Sequence, residues 1–207
     1  MNHSDLAYQS IKQKIITLEL KPLAVIDEQA LMESLRLGRT PIREALHRLA
    51  MENLVIIAPR RGMFVAGISV TDLQKIFELR VQIEGYCAQL AAQRATDAQI
   101  TQMEQVLDRL EPIPRTDTQE LMSMDQSLHQ MLYTSADNKF LADELNRLLA
   151  LSLRLWYLAV DKVGDLKDSV DEHRLVVDAL KARDSALAET LMQHHIARFQ
   201  ELIRAAL

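Results

Sequence analysis

The amino-acid sequence predicts a mainly α fold in two parts: three short helices closed by a β-hairpin, then an all-helical bundle. Three observations carry this. The 207 residues are rich in Leu, Ala, Gln, Glu, Arg and Met, with 4% aromatics and five glycines, a mixture that favours helix. Apolar residues recur at helical spacing up to Asn53 and again from Ser69 to the C-terminus. Between these stretches lies one short β-branched passage around a basic turn.

Each element follows from its residues. Leu6–Leu20 places Ile11, Ile15, Ile16 and Leu18 on an amphipathic helix that Lys21-Pro22 stops. Asp27–Leu35 forms a second helix with Ala30, Leu31 and Leu35 inward, and Thr40–Asn53 a third with Ile42, Ala45, Leu46 and Leu49 on one face. Pro41 falls in the first turn of that third helix, where a missing N–H does no harm. Leu54–Ile57 and Met63–Val65 read as strands around the turn Pro59-Arg60-Arg61-Gly62. Helices are then expected near 70–95, 97–111, 117–135, 138–162, 167–182 and 184–206. Ser69 with Asp72, Thr96 with Gln99 and Thr116 with Gln119 are the start signals, and Pro112 and Pro114 fix one loop. The expected domains are 1–68 and 69–207.

Composition narrows the function classes. A hydrophobic fraction of 48% excludes general disorder. The lone Cys87 makes no internal disulfide and points to a reducing compartment. Neither a secretory leader nor an apolar run of roughly 18–20 residues is present, so a cytoplasmic protein with no membrane partner is expected. The net charge of −5 divides into +2 over residues 1–66 and −7 over 67–207, which permits a DNA-binding head on an acidic body.

The order of helices and hairpin in residues 1–68 is that of a winged helix-turn-helix. Its turn is Arg36-Leu37-Gly38, and its second helix opens Arg39-Thr40-Pro41-Ile42-Arg43. Arg39 and Arg43 are four apart and share a face, and a guanidinium can grip guanine O6 and N7 together. Thr40 suits a phosphate, and Arg61-Gly62 puts a cation and a close approach on the wing. A solvated charged face is the alternative that these residues alone leave open.

Residues Leu37 to Leu46, Arg48-Leu49, Leu54-Val55 and Pro59 to Val65 resemble the winged-helix signature of the GntR family of transcription regulators. The resemblance covers residues 8–66. It implies that Arg39, Thr40, Arg43 and the Gly62 wing touch double-stranded operator DNA. Two departures stand in the turn: the family usually has Gly where this chain has Arg36, and Ser where it has Gly38. Losing the Ser cap costs only a few tenths of a kcal/mol, whereas Arg36 adds a cation within reach of phosphate.

In the second domain, Asp125 and His129 are one helical turn apart, His173 lies early in the penultimate helix and His195 late in the last. An antiparallel pair of final helices, joined through Arg183-Asp184, would aim both histidines at one interior spot. Three imidazoles and a carboxylate suit a divalent transition metal, zinc or nickel first. Chance scatter of such groups is the other reading that spacing allows. His194 lies about 100° round the helix from His195 and is expected at the surface.

Leu73 through Arg80 to Glu84, the Asp125/His129 pair, Asn138, Glu172-His173 and Met192 to Ile196 resemble the FCD ligand-binding domain of the FadR subgroup. That likeness covers residues 70–207. It implies a helical bundle that holds a metal through Asp125, His129, His173 and His195, and a small carboxylate effector on the open metal face. Arg80 is then the expected anion partner, or else the partner of Glu84 on its own helix. Leu132, Trp156 and Tyr157 are possible pocket-lining residues, Leu132 fitting the core better.

The function these readings imply is a homodimeric, sequence-specific repressor of transcription controlled by a carboxylate effector. A metal-free acyl or lipid pocket is one alternative, and three histidines argue against it. A metal-dependent hydrolase is another, but there is neither a His-Glu-x-x-His motif nor a nucleophile elbow, so no enzyme is expected.

Overall fold

A computed structural model describes residues 2–110, 112–114, 117–159 and 167–207. The chain divides into two compact units, Met1–Ser69 with Leu153–Leu158, and Val70–Ser152 with Ala159–Leu207. Among the described residues no helix is long and apolar enough to cross a membrane.

The first unit contains α1 (His3–Ile16), α2 (Glu28–Leu35), α3 (Arg39–Met51), β1 (Val55–Ala58) and β2 (Gly62–Val65). The first helix begins earlier and ends sooner than the apolar pattern suggests. Asn2 caps it by accepting from the Asp5 amide at 2.8 Å, and Leu18, at φ 60°, turns the chain away. Asp27 caps α2 in the same way through the Ala30 amide. Ala30 is exposed rather than inward, leaving Leu31 as the one fully buried residue of α2.

The core of this unit is Ala7, Ile11, Ile15 and Ile16 of α1 against Ile42, Ala45, Leu46 and Leu49 of α3. β1 pairs antiparallel with β2, Val55 opposite Val65 and Ala58 opposite Gly62. A short extension unseen in the sequence runs along the other edge of β2: Val65 donates to Ala24 O at 2.9 Å and Ile26 to Met63 O at 2.8 Å. Leu54 lies outside the strand because Asn53, at φ 63°, forces a turn just before it. The segment 153–158 contributes a buried Leu153, Arg154, Leu155 and Trp156. The Arg154 guanidinium donates to the Ala66 carbonyl, and burial pulls its pKa down to about 10, still protonated at neutral pH. Trp156 is wholly buried edge-on to Tyr157, with ring centroids 4.9 Å apart.

Among the described residues the regular elements of the second unit are all helices: α4 (Val70–Arg94), α5 (Asp97–Leu110), α6 (Thr118–Ser135), most of α7 (Lys139–Ala159), α8 (Lys167–Lys181) and α9 (Ser185–Ala206). The Thr96/Gln99 capping box forms in both directions, Thr96 N to Gln99 Oε1 at 2.8 Å and Gln99 N to Thr96 Oγ1 at 3.2 Å. Thr116 lies outside the described residues, as do residues 160–162 of the expected helix 138–162; Asp117 caps α6 through the Glu120 amide.

α4 and α9 pack most intimately, and Gly85 makes this possible. A Cβ at that position would lie 2.6 Å from Gln193 Cγ. α8 turns back onto α9 through Arg183, at φ 58°, and Asp184, which caps α9 by accepting from Leu187 N. This antiparallel pair brings His173, midway along α8, and His195, midway along α9, together. Leu132 is buried and belongs to the core.

Candidate functional site

Two sets of residues carry chemistry, one in each unit. In the first unit, α2 ends on Arg36 in the left-handed region, φ 54° and ψ 41°. The Leu37 amide then closes the helix on Met32 O at 3.1 Å. Gly38 is extended and caps α3 without a side-chain bond, which leaves first-turn amides of α3 open to an anion. Arg36, Arg39, Thr40 and Arg43 are exposed, whereas Ile42, Ala45, Leu46 and Leu49 on the opposite side of α3 are buried. Arg43 is only loosely held, with its Nε 3.8 Å from Glu28. Arg48, one turn further, is committed elsewhere: it bonds Asp5 at 2.9 Å and lies over the Tyr8 ring.

Arg60, Arg61 and Gly62 are exposed at the hairpin tip. Gly62 sits at φ 102°, a conformation that side chains strain to adopt, so the wing's shape requires glycine there. His47 is exposed and bonds no other residue among those described.

In the second unit, Asp125 and His129 project from one side of α6, His173 from α8 and His195 from α9. Their four ligand atoms lie within 4.8 Å of one another. The three histidines are buried, and Asp125 is half-buried. His173 Nε2 is 3.4 Å from His129 Nε2 and 3.6 Å from Asp125 Oδ1, and His129 Nε2 is 3.9 Å from Asp125 Oδ2.

The donor set fits a metal. Ring nitrogens that face each other across such a gap, with the ring protons held on Nδ1, have only lone pairs to present to one another and to the carboxylate. A cation at their centre satisfies all of them together.

The outer contacts agree. His195 Nδ1 is 2.9 Å from Glu172 Oε2, and His129 Nδ1 is 2.9 Å from Glu84 Oε2. The second contact is close but off the hydrogen-bond axis, and neither buried atom has another hydrogen-bond partner. Burial alone would raise Glu84, but the Arg80 guanidinium and His129 outweigh it and hold the carboxyl well below the usual range. Burial likewise acts to raise Asp125, and the surrounding histidines bring it below its ordinary value. Both carboxylates are ionised at neutral pH.

Arg80 is buried, not open. Its Nε donates to Glu84 Oε1 at 2.5 Å and a terminal nitrogen to Ser152 Oγ at 2.6 Å. Of the two roles weighed for it, the pair with Glu84 is the one present. A carboxylate reaching Arg80 must share or displace these partners. His194 is at the surface, its side chain 69% exposed. Trp156 is buried in the first unit. Sequence reasoning missed the outer roles of Glu84 and Glu172. Both stand among the residues that carry the FCD likeness, Glu84 four residues after Arg80 and Glu172 beside His173.

The FCD domain family matches residues 75–198, and the family described as bacterial regulatory proteins, gntR family, matches residues 4–65. The chain is similar to the HTH-type transcriptional repressor RspR of Escherichia coli K12, 28% identical over 95% of this chain and 87% of the relative. It is also similar to the HTH-type transcriptional repressor GlaR of the same organism, 28% identical over 97% of this chain and 95% of the relative. Among solved structures, Escherichia coli McbR/YncC has the same fold, with a TM-score of 0.88 at 19% identity over 99% of this chain and 98% of that one.

Proposed function

The chain belongs to the GntR family of bacterial regulatory proteins and carries an FCD domain, so it is a DNA-binding transcription regulator and not an enzyme; from that premise we propose that it is a metal-dependent repressor released or engaged by a small carboxylate. The observation that carries this reading is the convergence of Asp125 with the buried His129, His173 and His195, backed by two further carboxylates. A zinc or nickel ion held there supplies a Lewis-acid face for a carboxylate ligand.

The chain's own residues supply the rest. Arg39 and Arg43 stand on the exposed face of α3, where α3 enters a major groove and guanidinium groups meet guanine edges. Thr40 and the uncapped first turn of α3 take a phosphate, Arg36 a second, and Arg61 with Gly62 the sugar-phosphate edge beside the groove. Two copies of the chain, as a homodimer, would set two α3 helices on the half-sites of a pseudo-palindromic operator. Arg80, once it exchanges Glu84 or Ser152 for the effector, completes the anion site.

An effector changes DNA binding only if it favours one arrangement of the protein over another. The test is metal analysis of protein purified without chelator, followed by fluorescence-anisotropy titration of genomic fragments with holo and stripped protein, with and without a panel of small carboxylates. Stoichiometric metal and a carboxylate-dependent shift in operator affinity support the reading. Metal-free protein with an unchanged carboxylate response rejects it.

A further inference from the structure

Two of the four converging ligands are backed by a glutamate that an arginine holds, through a hydrogen bond at His195 and through a 2.9 Å contact off the hydrogen-bond axis at His129. His129 Nδ1 meets Glu84, and Glu84 is gripped by Arg80. His195 Nδ1 meets Glu172, and Glu172 is gripped by Arg198 at 2.6 Å. One relay is sealed: Glu84 and Arg80 are 0% and 1% exposed, and Arg80 is tied in turn to Ser152 of α7. The other reaches the rim, where the Glu172 and Arg198 side chains are 14% and 37% exposed.

A neutral imidazole carries one proton, and whichever nitrogen holds it cannot ligate. A carboxylate against Nδ1 draws the proton there and leaves the Nε2 lone pair facing inward. The arginine holds each carboxylate in place by filling its other oxygen, so the oxygen facing the ring stays an acceptor. We propose that Glu84 and Glu172 are positioning residues for the metal, each fixing the Nδ1–H tautomer of its histidine and turning Nε2 on the ion, with Arg80 and Arg198 as their anchors. This rests on the metal reading above.

The arrangement makes glutamine a sharp probe. In Glu84→Gln the amide oxygen still accepts from Arg80, so the NH₂ faces His129 Nδ1. That donor makes Nδ1 an acceptor, moves the ring proton to Nε2 and blocks the ligand atom. The same exchange at Glu172 is weaker, because water at the rim lets the amide turn.

The experiment uses the full chain, stripped of metal, as wild type, Glu84→Gln, Glu172→Gln and the core control Ile100→Val. Zn²⁺ alone is titrated against a competing chromophoric chelator, and histidine ring ¹⁵N spectra report the tautomers. Expected are Nδ1–H tautomers for His129 and His195 in wild type and the control. Glu84→Gln should show Nε2–H at His129 and a Zn²⁺ affinity about 10–100-fold lower, with a smaller loss in Glu172→Gln. A merely structural role would leave the tautomers unmoved. Should Glu84→Gln not fold, Glu172→Gln carries the same test at His195. Wild-type Zn²⁺ uptake with unchanged affinity and tautomers in the glutamine variants overturns this proposal alone. No uptake by wild type, with Nδ1–H tautomers intact, overturns the metal reading and this proposal with it.

Discussion

Arg36 is asked to do two things that oppose each other, and replacing it with glycine separates them. In the left-handed region a side chain costs about 1–2 kcal/mol, which glycine escapes. Glycine gives back about 0.5–1 kcal/mol through the larger freedom of the unfolded chain. The net expectation for Arg36→Gly is a stabilisation of about 0.5–1 kcal/mol. For a unit of this size that is a rise in Tm of about 2–8 °C, read by thermal unfolding followed by circular dichroism. The same change removes an exposed cation next to α3. If Arg36 meets a phosphate, the slope of log affinity against log salt falls in magnitude by about 0.9. That slope is measured by anisotropy on an operator fragment at several salt concentrations. A variant that is more stable and less salt-sensitive supports both halves. Lower stability refutes the backbone argument, and an unchanged slope removes Arg36 from the phosphate contacts.

Arg43→Ala should weaken operator binding by about 1–3 kcal/mol and relax preference at one base position, checked by titration against single-base variants of the site. His173→Ala should abolish metal uptake while the helical circular dichroism persists. Adding chelator should then lower the Tm of wild type but not of the variant, since metal at 1,000 times its Kd contributes about 4 kcal/mol. Gly85→Ala should destabilise the second unit by about 1–3 kcal/mol, because the new methyl meets Gln193, and Gly85→Ala with Gln193→Ala should recover much of that loss in denaturant unfolding.

The helices were legible because their buried faces repeat. Ile42, Ala45, Leu46 and Leu49 are read from spacing alone and are all fully buried. Their ends were less so, because ends depend on single side chains. Asn2 caps a helix that the apolar rhythm begins only at Leu6. The short pairing of Ala24 and Ile26 with β2 left no trace, since two residues are too few to show a period. Asp125 and His129 announce themselves by standing one turn apart, and His173 and His195 by lying at similar distances from the turn of a helical hairpin. Glu84 and Glu172 were illegible as backing groups among 29 acidic residues, because each serves a histidine on another helix. For Arg80 the spacing allowed either an anion partner or the pair with Glu84, and only packing shows that its guanidinium is enclosed.

The chain has one tryptophan, and it is wholly buried. Trp156 stands on α7 a single turn beyond Ser152, the residue that Arg80 holds. The molecule therefore comes with its own optical gauge. An indole shielded from solvent emits toward the blue, and any rearrangement of that helix that lets water in shifts its emission to the red. Light from one native side chain, with no dye attached, can show whether loading the ligand site is felt along α7.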